Sequence, residues 1–157
     1  MDGVLTDGNL LVTNEGDWLR QMNVRDGYAL QAAVKAGYRV IVISGSNSSA
    51  VKSRLQRLGV TDVFMGITDK HALLLRLAAD SAMLLDETLF MGDDVPDYEG
   101  MAACGLPACP ADAAEEIRGI ATYISHCNGG AGCVRDVIEK VMKLNGQWNL
   151  HTTTPST

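Results

Sequence analysis

The stretch Arg39-Val40-Ile41-Val42-Ile43-Ser44-Gly45 (RVIVISG, residues 39–45) decides the fold class of this chain. It is a short run of β-branched residues that a serine and a glycine bring to an end, which predicts a buried strand. Similar short runs follow at 62–65 (DVFM), 88–91 (TLFM), 106–109 (LPAC) and 122–125 (TYIS). Segments with apolar residues at helical spacing separate them. Apolar strands that alternate with amphipathic helices predict a parallel sheet covered on both faces, an open α/β fold.

Residues with capping chemistry mark the predicted helix starts. Asn47 is predicted to cap the helix that follows RVIVISG, and Asp69 the one after DVFM. Asp112 and Glu115 have the spacing of a capping box before a further helix. The LPAC strand stands among prolines, which cannot donate to a ladder, so it is predicted to lie toward a sheet edge.

Length and composition indicate one globular domain in this chain of 157 residues, of which 46% are hydrophobic and 20% are charged. We expect that domain over 1–148, and a polar tail over 149–157 that is disordered or ordered only against a neighbour. A net charge of −6 argues against nucleic acid or a membrane surface as partner, because both require a basic face. No apolar run approaches the ~20 residues that span a bilayer, and the N-terminus lacks signal-peptide features, so we expect a cytoplasmic protein.

The cysteines and histidines do not form a recognisable metal or catalytic pattern. No CxxC pair or His/Cys cluster is present, so zinc and a disulfide framework are not expected, and the cysteines are predicted to be reduced. The residues concerned are Cys104, Cys109, Cys127, Cys133, His71, His126 and His151.

Residues 9–24 are predicted to form a projecting hairpin flap. Two short extended segments, 10–13 and 18–24, flank the turn residues Asn14-Glu15-Gly16-Asp17. The hairpin has more apolar side chains than it can bury on itself. This excess predicts that another subunit covers the flap, and hence a homo-oligomer.

Two acidic turns carry the chemistry. Asp93, Asp94 and Asp97 follow the TLFM strand, and Asp2 lies in the N-terminal turn DGVLTDG. Carboxylates this close repel one another unless a cation compensates, and magnesium prefers such oxygen ligands. The alternative for the turn after TLFM is a solvated loop in which Asp94 or Asp97 caps a helix. The alternative for the N-terminal turn is a tight turn with Asx hydrogen bonds, for which Asp7-Gly8 is suited.

Ser44 and Lys70 lie just after strands, as Asp93 does, so all three are predicted to lie along one rim of the sheet. The Ser44 hydroxyl could bind a phosphoryl oxygen, although a serine after a strand is more often a cap. Lys70 begins a helix, where the macrodipole disfavours a cation unless an anion compensates it. An exposed lysine is the alternative.

Four motifs now stand in chain order: the Asp2 turn, Ser44-Gly45 after a strand, Asp69-Lys70, and the turn with Asp93, Asp94 and Asp97. Together they resemble the four motifs of the haloacid dehalogenase superfamily phosphatases. Three further segments resemble, more narrowly, the capless 3-deoxy-D-manno-octulosonate 8-phosphate (KDO 8-phosphate) phosphatases: 23–28 (NVRDGY), 51–60 with Arg54 and Leu58-Gly59, and 129–136 (GGAGCVRD). The likeness covers residues 1 to about 145. It implies a Rossmann-like open parallel sheet with a flap and no cap domain.

The resemblance implies a role for each catalytic residue. Asp2 would protonate the leaving sugar oxygen and later activate water, while its backbone carbonyl helps to hold Mg²⁺. Ser44 and Lys70 would bind the phosphoryl oxygens. Asp93 would ligate Mg²⁺ directly, and Asp94 and Asp97 would position it from outside the coordination sphere.

The resemblance also implies a substrate and an assembly. The sugar acid would be contacted by Asn23, Val24, Arg25, Asp26, Gly27 and Arg54, with Lys70 on its phosphate. Capless members are tetramers, in which a neighbour's flap and C-terminal segment close the site. The implied activity is magnesium-dependent release of phosphate from KDO 8-phosphate through an aspartyl-phosphate.

Three departures from the family pattern qualify this interpretation. The attacking aspartate belongs two positions before Asp2, so we expect it and its central strand to lie upstream of Met1; a non-catalytic oligomeric remnant is the alternative. Ser46 and Gln31 stand where many members have arginine, which weakens carboxylate recognition and leaves room for a nine-carbon sialic-type acid phosphate. Ala131 and Cys133 are minor changes in the glycine-rich motif.

Overall fold

A computed structural model describes residues 1–81 and 83–149 of the chain. Most of the predicted tail lies outside these residues. The strands are β1 (Leu11–Val12), β2 (Trp18–Leu19), β3 (Ile41–Ile43), β4 (Asp62–Phe64), β5 (Leu89–Met91), β6 (Leu106–Cys109) and β7 (Tyr123–Ile124). The helices are α1 (Val24–Lys35), α2 (Ser49–Arg57), α3 (Lys70–Ser81), α4 (Tyr98–Ala102), α5 (Glu115–Ile120) and α6 (Cys133–Leu144).

The strands after the flap are parallel, and helices connect them, which confirms the predicted α/β class. They form two ladders, β3-β4 and β5-β6-β7, in the described part of the chain. Val42 of β3 pairs with Val63 of β4, and both lie in the largest apolar cluster. Met1, Val4 and Leu5 of the N-terminal turn belong to the same cluster. The start of the chain is therefore packed into the core.

Helices α1 and α6 pack against each other through small and apolar residues. Ala32, Ala33 and Met142 are buried together between them. The ends of α1 match its sequence: Asn23 is the N-cap, and the left-handed φ of 91° at Gly37 lies just beyond its C-terminus. No described helix has the length and apolar character needed to cross a bilayer.

Two predicted caps are wrong, and one is confirmed. Asp69 accepts a hydrogen bond from the Ala72 N–H at 2.8 Å and caps α3. The cap of α2 is Ser48, whose hydroxyl accepts from the Val51 N–H, so the helix begins one residue later than an Asn47 cap requires. Asp112 does not cap α5, because its carboxylate accepts the Gly129 N–H at 2.9 Å instead.

The predicted edge position of the LPAC strand is also wrong. β6 lies between β5 and β7. The pairing with β7 begins only at Ala108↔Tyr123, so Pro107 lies beside the residues that precede that strand. The Pro107 carbonyl accepts the Thr122 N–H at 2.8 Å. The Pro107 nitrogen lies on the same side of the strand, before the ladder with β7 begins, so the absence of its N–H leaves no β7 residue unpaired.

Asp136 of α6 is a buried carboxylate with several donors. It accepts hydrogen bonds from Tyr123, Ser125 and Lys140. Burial alone would raise the pKa of Asp136, but these hydrogen bonds outweigh burial and hold the pKa below its ordinary value of 3.8. A lowered carboxylate pKa adds stability above the unfolded pKa, and that stability is lost as the pH falls through the folded pKa.

We therefore expect the urea midpoint of the protein to fall as the pH is lowered from 5 to 3. Asp136→Asn should reduce this pH dependence, and at pH 7 it should cost roughly 1–3 kcal/mol of the free energy of unfolding. Urea titrations at both pH limits measure the two effects. Asp62→Asn, at a half-exposed ion pair, serves as the control. Identical pH dependence in Asp136→Asn and the unaltered protein would contradict this account.

Candidate active site

The polar residues predicted from the strand ends lie at one rim. Ser44 follows β3, Asp93 follows β5 after Gly92, and Lys70 is the first residue of α3. Parallel strands bring their carboxyl ends to the same edge within each ladder, and the Lys70–Asp97 ion pair joins the loop after β4 to the turn after β5.

The N-terminal turn and the acidic turn after β5 are in direct contact. Gly3 has a left-handed φ of 77°, and a Cβ atom at this position would lie 1.8 Å from Oδ2 of Asp93. Only glycine leaves room for that carboxylate. The peptide that joins Asp2 to Gly3 therefore lies beside the Asp93 side chain, as a shared metal site requires.

Lys70 and Asp97 form a buried ion pair next to Asp93. Lys70 Nζ lies 2.6 Å from Oδ1 of Asp97, and both side chains are largely buried. The other Asp97 oxygen accepts the Asp93 N–H at 3.1 Å. Asp94 instead accepts the N–H of Val95 and caps a short 3₁₀ turn, which matches the capping alternative for that residue.

Burial and the negative charge of Asp97 together raise the pKa of Asp93 to about 6. Both effects disfavour the ionised carboxylate, so a cation at this position offsets them. Among residues 1–81 and 83–149, no group of three or more His, Cys, Asp or Glu side chains is arranged to hold a metal ion. The predicted donors are one Asp93 carboxylate and the Asp2 carbonyl, a set that fits Mg²⁺, which keeps several waters and binds substrate phosphate.

Ser44 is buried and does not cap a helix. Its Oγ accepts the Ser46 N–H at 3.1 Å, which leaves its own hydrogen free to donate. The serine therefore shapes the loop after β3 and still presents a donor.

Asp2 has a partner that the sequence analysis missed. The Arg20 guanidinium, at the end of β2, binds its carboxylate through Nε at 2.8 Å and Nη2 at 3.3 Å. Arg20 Nη2 also donates to the Ser46 hydroxyl at 2.9 Å. The only sequence signal for it was a single basic residue inside the flap segment 9–24, just before NVRDG.

The residues predicted to contact the sugar acid are less closely grouped. Asn23 donates to the Gly130 carbonyl at 3.3 Å and, with Val24, lines a cleft of about 430 Å³ beside Asp7. Gly27 is buried in the first turn of α1. Arg25 lines a separate cavity of about 600 Å³ against α6.

Asp26 and Arg54 also lie apart from the cleft. Asp26 is 1% exposed, and its carboxylate accepts the Arg135 N–H at 2.7 Å, which caps α6. Arg54 is half-buried on α2. No hydrogen bond connects Arg54 to the rim in the described part of the chain.

The glycine-rich segment 129–132 packs on the N-terminal turn. A Cβ atom on Gly129 would lie 2.0 Å from the Gly3 carbonyl oxygen, and one on Gly130 would lie 2.5 Å from the Asp7 nitrogen. The Gly130 N–H donates to the Val4 carbonyl at 2.9 Å. Backbone thus meets backbone, and the start of α6 is fixed to the Asp2 turn.

No family model matches the chain. Individual relatives do: the 3-deoxy-D-manno-octulosonate 8-phosphate phosphatase KdsC of Yersinia pestis is 32% identical over 154 residues, 96% of this chain and 82% of the relative. KdsC of Escherichia coli K12 is 32% identical over 147 residues, 94% of this chain and 78% of the relative.

Solved structures agree with these relatives. The KDO 8-phosphate phosphatase of Moraxella catarrhalis, in complex with a magnesium ion, a phosphate ion and KDO, has a TM-score of 0.87 at 32% identity and covers 90% of this chain and 82% of its own. The cobalt-bound phosphatase of Haemophilus influenzae has a TM-score of 0.87 at 30% identity, and the match covers 92% of this chain and 85% of its own. On this evidence, the chain belongs to the 3-deoxy-D-manno-octulosonate 8-phosphate phosphatase family of the haloacid dehalogenase superfamily.

Proposed function

We propose that this protein is a magnesium-dependent phosphatase that hydrolyses KDO 8-phosphate to the free sugar acid and phosphate. The observation that carries the proposal is the contact between the Gly3 backbone and the Asp93 carboxylate, which joins the two acidic turns. The substrate follows from the relatives, which are named for this reaction. Such a step belongs to lipopolysaccharide synthesis.

Asp93 would hold Mg²⁺ through its carboxylate, and Asp2 through its backbone carbonyl. Asp97 would orient Asp93 by accepting its N–H, and the exposed Asp94 would act through water. When bound, the ion would neutralise charge on the phosphoryl oxygens.

Lys70 and Ser44 would bind the phosphoryl oxygens. The Lys70 ammonium has donors beyond the one used by Asp97, and Ser44 has its hydroxyl hydrogen. Asp2 would give a proton to the sugar oxygen as its bond to phosphorus breaks, and would take one from water in the second step.

The attacking carboxylate would come from the residue immediately before Met1. Met1 is buried, and its backbone nitrogen lies close enough to Asp97, Lys70, Asp93 and Asp2 for their charges to act on it. A residue attached to that nitrogen would therefore enter the same cluster. This placement supports an aspartyl-phosphate formed between the two acidic turns.

The experiment compares the 157-residue chain with an extended chain, in which an apolar strand ending in Asp precedes Met1. We expect Mg²⁺-dependent phosphate release only from the extended chain, and none when the added Asp is Asn. KDO 8-phosphate should be preferred in a panel of sugar phosphates. Preference for a nine-carbon acid 9-phosphate would change the substrate, and an extended chain without Mg²⁺-dependent turnover would support the non-catalytic alternative.

Arg54 would contact the sugar acid, together with Asn23, Val24, Arg25 and Gly27. Arg54→Ala should raise the KM for KDO 8-phosphate by about tenfold, the loss expected for one charged hydrogen bond, and the KM for an aryl phosphate far less. Steady-state kinetics on both substrates measure the ratio. Lys52→Ala, an exposed cation on the same helix, is the control. Equal changes on both substrates would mean that Arg54 is structural.

The flap would be covered by another copy of the chain in a homotetramer. Leu11 pairs with Leu19 across the hairpin, yet Leu11 is 66% exposed and Trp18 is 61% exposed. Such apolar exposure indicates an interface.

The four cysteines are free thiols, which agrees with a cytoplasmic location.

Replacing both Leu11 and Trp18 by Ser should shift the sedimentation coefficient from a tetramer to a smaller species, because the interface loses its apolar contacts. Analytical ultracentrifugation at micromolar concentration measures this. Leu144→Ser, at an exposed leucine on α6, is the control. A monomeric unaltered protein would exclude the tetramer.

A further inference from the structure

The Arg20 side chain connects the flap to two loops of the rim. Its Nη1 donates to the Trp18 carbonyl of β2 at 3.1 Å, and its other nitrogens bind Asp2 and Ser46. Although the flap projects from the protein, the Arg20 side chain is only 8% exposed. All three guanidinium nitrogens are engaged, so its position is fixed by groups from three segments.

The two oxygens of Asp2 are held unequally. Oδ1 accepts from Arg20 Nε at 2.8 Å and from the Thr6 hydroxyl at 3.3 Å. Oδ2 has one longer contact, 3.3 Å to Arg20 Nη2. The better-held oxygen fixes the rotamer, and the other is freer to exchange a proton with a ligand.

We propose that Arg20 is a positioning residue that aligns Asp2 for proton transfer and anchors the flap to it. This inference rests on the proposed function, because Asp2 acts there as the acid. Arg20 does not touch the reacting atoms; it acts through Asp2. A shift of the flap would move the Trp18 carbonyl, hence the guanidinium, and hence the Asp2 carboxylate.

The test is leaving-group dependence in the extended chain. An alkoxide leaving from KDO 8-phosphate needs a proton, whereas the phenolate leaving from p-nitrophenyl phosphate does not. Arg20→Met should lower kcat for the sugar phosphate by about 10²-fold, and for the aryl phosphate by less than about threefold, with both KM values little changed. Arg20→Lys keeps the positive charge and the aliphatic chain but lacks the planar guanidinium. We expect its kcat to fall less than that of Arg20→Met, and again more for the sugar phosphate than for the aryl phosphate.

Hydrogen exchange gives a second readout that does not depend on activity. Amides of residues 11–19 should exchange faster in Arg20→Met than in the unaltered protein. Arg39→Met removes an equivalent contact, Nε to Asp62 at 2.7 Å, and should change neither kinetics nor flap exchange.

Three results would overturn the inference. An equal loss of kcat on both substrates would make Arg20 merely structural. A raised KM for the sugar phosphate alone would make it a substrate ligand. Unchanged hydrogen exchange in the flap would show that Arg20 does not anchor it. Inactivity of the extended chain on both substrates would instead defeat the proposed function, and the exchange measurement would still test the anchoring role of Arg20.

Discussion

Asp93→Asn in the extended chain is expected to abolish Mg²⁺-dependent phosphate release, with a loss in kcat of roughly 10³-fold or more. The amide keeps the shape of the side chain beside Gly3, but it removes the charge that would hold the ion. Isothermal titration with Mg²⁺ should show binding to the unaltered protein and none to the variant.

The fold should survive this substitution. Burial and Asp97 raise the pKa of Asp93 from its ordinary value of 3.8 to about 6, so the folded state loses stability as the pH rises from the unfolded pKa to about 6, and the full cost is present at pH 7.5. Without Mg²⁺, the variant should therefore melt no lower than the unaltered protein at pH 7.5. Asp62→Asn is the matched control at a half-exposed ion pair. Full activity in Asp93→Asn would mean that the metal is bound elsewhere.

Lys70→Met should lower kcat by about 10²- to 10³-fold, because it removes a cation from the developing charge on the phosphoryl group. It should also destabilise the protein by about 3–5 kcal/mol, since the largely buried Asp97 loses its partner. Kinetics below the melting temperature and urea unfolding measure the two losses separately.

A double variant distinguishes catalysis from folding. Lys70→Met with Asp97→Asn removes the unpaired charge, so stability should return while activity stays low. Lys140→Met is the matched control, because Lys140 also pairs with a buried aspartate, Asp136, through a contact that involves neither Lys70 nor Asp97. Recovery of activity in the double variant would show that Lys70 serves only to neutralise Asp97.

The sequence predicted the parts of the fold that depend on local patterns. Apolar runs such as RVIVI, the Asp69 cap and the glycine beyond α1 are read within a few residues, and the structure confirms them. The two cap errors came from competing hydrogen bonds. Ser48 takes the cap from Asn47, and Asp112 binds a loop that is 17 residues away in sequence.

The candidate site was predicted as far as chain topology brings strand ends together. Ser44, Lys70 and Asp93 follow from that rule, whereas Asp2 was predicted from the acidic turn DGVLTDG, and the roles of all four remain predictions. Arg20 could not be predicted, because its contact with Asp2 spans 18 residues and depends on how the flap folds back. Nor does sequence spacing reveal that Asp26 is turned inward to cap α6.

The backbone contact between segment 129–132 and the Asp2 turn has a consequence for biosynthesis. The ribosome delivers the Asp2 turn more than a hundred residues before the glycines that brace it. Domains in general fold as they emerge, from the N-terminal end. In this protein the Asp2 turn must wait for the segment that precedes α6, so a nascent chain halted before residue 129 would lack these backbone contacts.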